Sequence, residues 1–107
     1  MGEETEASEF DWDGGNAEKN WLRHRVSQSE CEQVFFNQPL VVAEDVQHSE
    51  FEDRFLALGQ TDAGRLLFVA YVLRDDKVRI ISARDMTRRE QKEYEGARIQ
   101  LETDPEV

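Results

Sequence analysis

The run Leu66-Leu67-Phe68-Val69-Ala70-Tyr71-Val72-Leu73 constrains this fold more than any other stretch. It is apolar at odd and even positions alike, so as a strand it belongs at the centre of a sheet, covered on at least one side by helices. Thr61-Asp62-Ala63-Gly64 before it and Asp75-Asp76 after it are turn sequences short enough for hairpins. The strand on the first side is Arg54 to Gln60, where Phe55, Ala57 and Gly59 alternate with Leu56 and Leu58. The strand on the second side starts at Val78, with Val78, Ile80 and Ser82 expected on one face and Arg79 and Ile81 on the other. With a short apolar strand at Leu40 to Glu44, these predict an antiparallel meander.

Helical patterns stand before and after the strands, which predicts an α+β fold and not alternating βαβ units. Asn16 to His24 reads as a helix with Ala17, Trp21 and Leu22 on its apolar side. Ser27 with Glu30 forms a capping box for a second helix to about Phe36, which turns Cys31, Val34 and Phe35 inward and stops at Asn37-Gln38-Pro39. Thr87 with Glu90 starts a third helix in the same way. Phe10-Asp11-Trp12 suits an edge strand, and Asp13-Gly14-Gly15 a turn. The expected organisation is a disordered acidic segment at 1–8, one domain at 9–98 and an acidic tail at 99–107.

The net charge of -11 is unevenly placed. Residues 1–13 carry six acids and residues 102–107 three more, with no Lys or Arg in either, which leaves 15 acids against 13 bases between them. From Arg65 to Arg98 nine bases face six acids. Arg79, Arg84, Arg88 and Arg89 crowd one strand-to-helix junction. The planar fork of Arg suits phosphate oxygens, so a cationic island on an acidic chain points to a phosphate-bearing ligand. No apolar run approaches the roughly 20 residues of a membrane span, and there is no basic-then-apolar leader, so a cytoplasmic location is expected. The single Cys31 reads as a buried thiol in a reducing compartment. With His24 and His48 the only histidines and no paired His or Cys spacing, neither a metal nor a cofactor is expected.

Three segments, in order and at matching spacing, carry a resemblance over about residues 10–95. They are Phe10-Asp11-Trp12-Asp13 with Asn20-Trp21-Leu22-Arg23-His24-Arg25-Val26, Arg54-Phe55 through Gly59 with Gly64-Arg65-Leu66-Leu67-Phe68-Val69 and Tyr71, and Arg79-Ile80-Ile81-Ser82-Ala83-Arg84 with Glu90 and Tyr94. In these the chain resembles the BrnT-type toxins of bacterial type II toxin–antitoxin systems. The resemblance implies a fold like that of the RelE-type ribonuclease toxins, an RNA-cleaving activity that arrests growth, and assembly with an antitoxin of the BrnA type. Arg23 stands where that family often has Lys, Arg25 where it usually has Gly, and Asn16 near a position that is often Lys.

RNA cleavage without a metal needs a proton acceptor for the 2′-hydroxyl, positive donors for the phosphorane-like transition state and a proton for the 5′-oxygen. The candidate catalytic residues are His24 as acid or base, Arg79 and Arg84 as a clamp, and Glu90 and Tyr94 on the helix face turned back to the strand. Arg23, Arg25, Arg54, Arg88 and Arg89 are candidate RNA-binding residues. Structural readings stand beside these. His24 suits a helix C-terminus, Glu90 a cap, Tyr94 a packed ring with its hydroxyl satisfied, and Arg54 an ion pair with Glu44 or Asp45. A non-catalytic module that binds an antitoxin-like partner, or an RNA binder without catalysis, would use the same residues.

Overall fold

A computed structural model of the chain describes residues 9–12, 14–49 and 52–103. The expected segment at 1–8 and the end of the expected tail at 104–107 lie outside the described residues, as does Asp13 of the expected turn. The elements are helix α1 (Gly14–His24), helix α2 (Gln28–Val34), strand β1 (Val41–Glu44), a 3-10 turn (Val46–His48), strands β2 (Arg54–Gln60), β3 (Leu66–Arg74) and β4 (Lys77–Asp85), and helix α3 (Arg88–Thr103). The four strands form one sheet in the order β1-β2-β3-β4, antiparallel throughout. This is the α+β meander that the sequence predicts, with two helices before the sheet and one after it.

The two sides of the sheet have different cores. Ala57, Leu67, Val69, Tyr71, Val78, Ile80 and Ala83 face Val26, Cys31 and Val34, which α1 and α2 bring over them. On the other face Leu58 packs with Met86 and Tyr94, flanked by Val41, Leu66 and Phe68, under α3. The apolar-on-both-faces run of β3 is thereby explained. Leu67, Val69 and Tyr71 feed the first core, and Leu66 and Phe68 pack against the second.

The strand β4 departs from simple alternation. Val69 pairs with Ala83 and Ala70 with Ser82, but Tyr71 pairs with Ile80, so Ile81 is an extra residue opposite the Ala70/Tyr71 step. A bulge of this kind reverses the facing of everything beyond it. Val78, Ile80 and Ala83 share the α1/α2 side, while Arg79, Ser82 and Arg84 share the α3 side. The expected grouping of Ser82 with Val78 and Ile80 is therefore corrected. Both capping boxes form as expected. Ser27 Oγ accepts from Glu30 N at 3.1 Å and Glu30 Oε1 accepts from Ser27 N at 2.9 Å. Thr87 and Glu90 do the same at 3.2 and 2.8 Å. The last helix continues through Ile99 to Thr103.

The edge of β4 is covered at two points. Residues Glu9 and Asp11 bond to the backbone of Val78 on a parallel bridge at Phe10, whose ring packs edge-on against Phe35 and Phe36. Farther along, Asn20 Oδ1 accepts from Ala83 N at 3.1 Å, so α1 binds this edge through a side chain. Asn20 is 2% exposed, while Trp21 is 46% and Leu22 63% exposed. The inward face of α1 thus differs from the expected one: edge capping takes precedence over burial of Trp21 and Leu22.

Helix α2 lies directly on β2 at Gly59. A Cβ there would stand 2.5 Å from Val34 Cγ1, and Val34 is fully buried, so its side chain has nowhere to move. Gly59→Ala is expected to lower stability by about 1–3 kcal/mol. Urea unfolding at unchanged m-value measures this, and a variant as stable as wild type would show that α2 does not approach β2 so closely.

Candidate active site

The α3 side of the sheet carries the arginines. Arg54 pairs with Val72, and Val72 with Arg79, so Arg54 and Arg79 lie in one row across β2, β3 and β4. Four pairs farther along β3, Phe68 pairs with Arg84. Adjacent strands lie about 4.8 Å apart, which places the Arg54 and Arg79 backbones about 10 Å from each other. Beside this row runs a cleft of about 550 Å³, lined by Val41, Ala43, Leu56, Leu58, Phe68, Glu90 and Glu93. Its floor is apolar, its charged lining is Glu90 and Glu93, and Arg84 stands over its Phe68 ring.

Arg84 is held firmly. Its Cζ lies 4.0 Å from the centre of the Phe68 ring, and its Nη1 and Nη2 each donate to Glu90 at 2.9 Å. Nη1 also donates to Asp85 O at 3.0 Å. Hydrogen bonds from Arg84 hold the Glu90 carboxyl below its usual range, against the opposing effect of burial, and the Thr87 backbone N–H adds to the lowering. Glu90 therefore serves at once as helix cap and counter-ion. Arg79 Nη1 stands 3.7 Å from Asp11 Oδ1, and Arg54 Nε 3.6 Å from Asp45 Oδ2. The latter is one of the ion pairs expected for Arg54.

Tyr94 is buried, and its hydroxyl donates to Pro39 O at 2.8 Å, which ties α3 to the start of β1. Its structural reading accounts for these contacts. Arg88 and Arg89 are exposed in the first turn of α3.

The segment Arg23-His24-Arg25 lies at the C-terminus of α1, the helix that binds the β4 edge at Ala83. Arg54 and Arg79 share a row across the sheet, while His24 belongs to the end of this helix. Arg25 ends the helix with φ of +55°, and its N–H donates to Trp21 O at 2.9 Å, a left-handed helix stop that glycine adopts without strain. Its guanidinium lies 5.2 Å from the Trp21 ring centre.

What fixes this segment is Arg65, a residue that sequence reasoning did not single out. Its Nε donates to Asp85 Oδ1 at 2.7 Å, Nη1 to Arg25 O at 2.8 Å and Glu30 Oε1 at 3.1 Å, and Nη2 to His24 O at 3.1 Å. One guanidinium joins the end of α1, the cap of α2 and the end of β4. Hydrogen bonding to Arg65 holds Asp85 below the usual carboxylate range, with a smaller contribution from the nearby His24 charge. Burial pushes the Cys31 thiol up to about 12, with Glu30 and Glu32 adding to the rise, so Cys31 is an inert core residue.

A family model described as the ribonuclease toxin BrnT of a type II toxin–antitoxin system matches residues 12–90. The chain belongs to the BrnT family. No curated protein matches it. The matched span takes in the whole sheet with Arg54, Arg79 and Arg84, includes Glu90, and ends before Tyr94. Membership in BrnT identifies the chain as a ribonuclease toxin of a type II system, with RNA as its target and an antitoxin protein as its partner. Among the described residues no three His, Cys, Asp or Glu side chains gather closely enough to hold a metal ion, and no helix is long and apolar enough to cross a membrane.

The charge on Glu90 gives the site a pH dependence. Its folded-state pKa lies below the ordinary value of 4.5, so the stability it contributes is complete above pH 4.5 and is lost as pH falls through the folded value. Glu90→Gln keeps a side-chain acceptor for the cap but removes the titrating group. The variant is expected to lose about 1 kcal/mol at pH 7 and to show a shallower decline on acidification. Unfolding measured between neutral pH and pH 3 checks this, and identical acid limbs would mean the Arg84–Glu90 pair contributes nothing.

Proposed function

We propose that the chain is an endoribonuclease that cuts RNA on the arginine-bearing face, without a metal ion, by attack of the ribose 2′-hydroxyl on the adjacent phosphorus. Its products are then a 2′,3′-cyclic phosphate and a free 5′-hydroxyl. The observation that carries this reading is the common facing of Arg54, Arg79 and Arg84 beside the apolar cleft. Preorganised cations stabilise charge as it develops on the phosphoryl oxygens, and this is commonly a large part of catalysis. The Phe68 ring below Arg84 offers a base an apolar surface. Arg88 and Arg89 extend the positive rim at the start of α3. Activity arrests growth, in the cytoplasm, until an antitoxin of the BrnA type binds the toxin in a hetero-oligomer.

One feature favours a second reading, a binding module without catalysis. The Arg84 fork already holds Glu90, so a phosphate must compete with that carboxylate. A cleavage assay on purified protein separates the two.

Arg79→Ala and Arg84→Ala are each expected to slow RNA cleavage by about 100- to 1,000-fold, and to relieve growth arrest on induction. For binding, Arg79→Ala is expected to reduce the slope of log affinity against log salt by about one. Wild-type protein that leaves total RNA intact, or variants that cleave as fast as wild type, would refute the proposal.

A further inference from the structure

Cleavage by 2′-hydroxyl attack needs a proton acceptor, and His48 is held through Asp45 beside Arg54, at the β2 end of the row of Arg54 and Arg79. Asp45 prolongs the pairing of β1, donating its N–H to Arg54 O at 2.7 Å. By alternation from Val41 and Ala43, which line the cleft, its carboxylate stands on the arginine side. The 3-10 turn then carries the chain back, and His48 Nδ1 comes to 2.8 Å from Asp45 Oδ2. Arg54 Nε lies 3.6 Å from the same oxygen. Ser49 closes the arrangement, with its hydroxyl donating to Asp45 O at 2.7 Å and accepting from Arg54 N at 3.0 Å. Ser49 and Arg54 thus hold the Asp45 segment, and the Asp45 carboxylate holds the imidazole.

The burial is graded in the sense that proton transfer requires. The Asp45 side chain is 12% exposed and that of His48 59%, so a shielded carboxylate backs an open ring. A carboxylate on Nδ1 keeps the proton there and leaves the Nε2 lone pair directed away from the pair. The groups around His48 are Asp45 just before the turn, Arg54 of β2 across that carboxylate, and Ser49 just after the turn.

We propose that His48 is the catalytic proton acceptor for an unpaired ribonucleotide bound at Arg54, and that Asp45 is its positioning residue; this rests on the ribonuclease reading above. His48 Nε2 takes the 2′-hydroxyl proton as that oxygen bonds to phosphorus. The bond from phosphorus to the 5′-oxygen breaks, its electron pair stays on the 5′-oxygen, and that oxygen takes a proton from water. The hydroxide so formed takes the proton back from His48. Arg54, one strand inward, holds the non-bridging oxygens.

The test uses the whole purified chain, total RNA and a 2′-O-methyl oligonucleotide as a probe that binds but cannot be cut. His48→Ala is expected to lower the cleavage rate by ~100- to 10,000-fold, with probe affinity and melting temperature unchanged and with part of the rate restored by added imidazole. Asp45→Asn is expected to lower the rate without such rescue, and Asp45→Glu to recover part of it. Cleavage at the wild-type rate by His48→Ala, or a loss that follows a lowered melting temperature and is not relieved by imidazole, overturns the inference while the ribonuclease reading stands. Cleavage that survives His48→Ala and fails in His24→Ala assigns the proton to the other imidazole and also overturns it. Wild-type protein that cuts no RNA sinks both.

Discussion

One extra residue, Ile81, decides what the α3 face of the sheet can do. Arg79 and Arg84 are five positions apart, and in a regular strand they would point to opposite faces. The bulge opposite Ala70/Tyr71 brings both onto the face that bears Arg54, while Val78, Ile80 and Ala83 still reach the core on the other side. Core burial and cation placement are thus reconciled by a single irregularity. Its energetic basis is the α1/α2 core, because Ile80 and Ala83 are both almost completely buried there and neither could be turned out without losing that burial.

A second constraint fixes the other side. Arg65 holds two carboxylates and two carbonyls at the meeting point of α1, α2 and β4, and Asn20 caps the Ala83 N–H of the same edge. These contacts replace strand pairing at an edge that would otherwise present unpaired backbone groups. They also explain how Arg25 is tolerated in a left-handed conformation. Its carbonyl is committed to Arg65 and its side chain rests over Trp21, which offsets part of the strain.

Much of this architecture is legible in local sequence. The two capping boxes, the Asp75-Asp76 turn and the apolar run of β3 place most elements within a residue or two. Asp75 and Asp76 both adopt positive φ, as a two-residue hairpin turn requires. The bulge is not legible, because Ile81 carries no Gly or Pro to mark it and its cause is pairing with β3. The burial of Asn20 in preference to Trp21 is likewise set by the distant Ala83 N–H. Arg65 looks like an ordinary residue after a turn, since its four partners come together only in three dimensions. The sequence groups the arginines of the last strand with His24 by motif, and it carries no sign that Asp45 links His48 to Arg54. A 3-10 turn that returns a side chain to its own strand leaves no periodic signal.

The family places the chain among ribonuclease toxins, and the pairing of the strands puts Arg54, Arg79 and Arg84 on one face. The central claim is that RNA meets the protein on the face built by the Ile81 bulge. Nuclear magnetic resonance mapping with a 2′-O-methyl oligonucleotide tests it most directly. The largest shifts are expected at Arg54, Phe68, Arg79, Ser82 and Arg84, with Ala57, Val69 and Ala83 little changed. Shifts confined to α1 and the Arg23–Arg25 segment would contradict it.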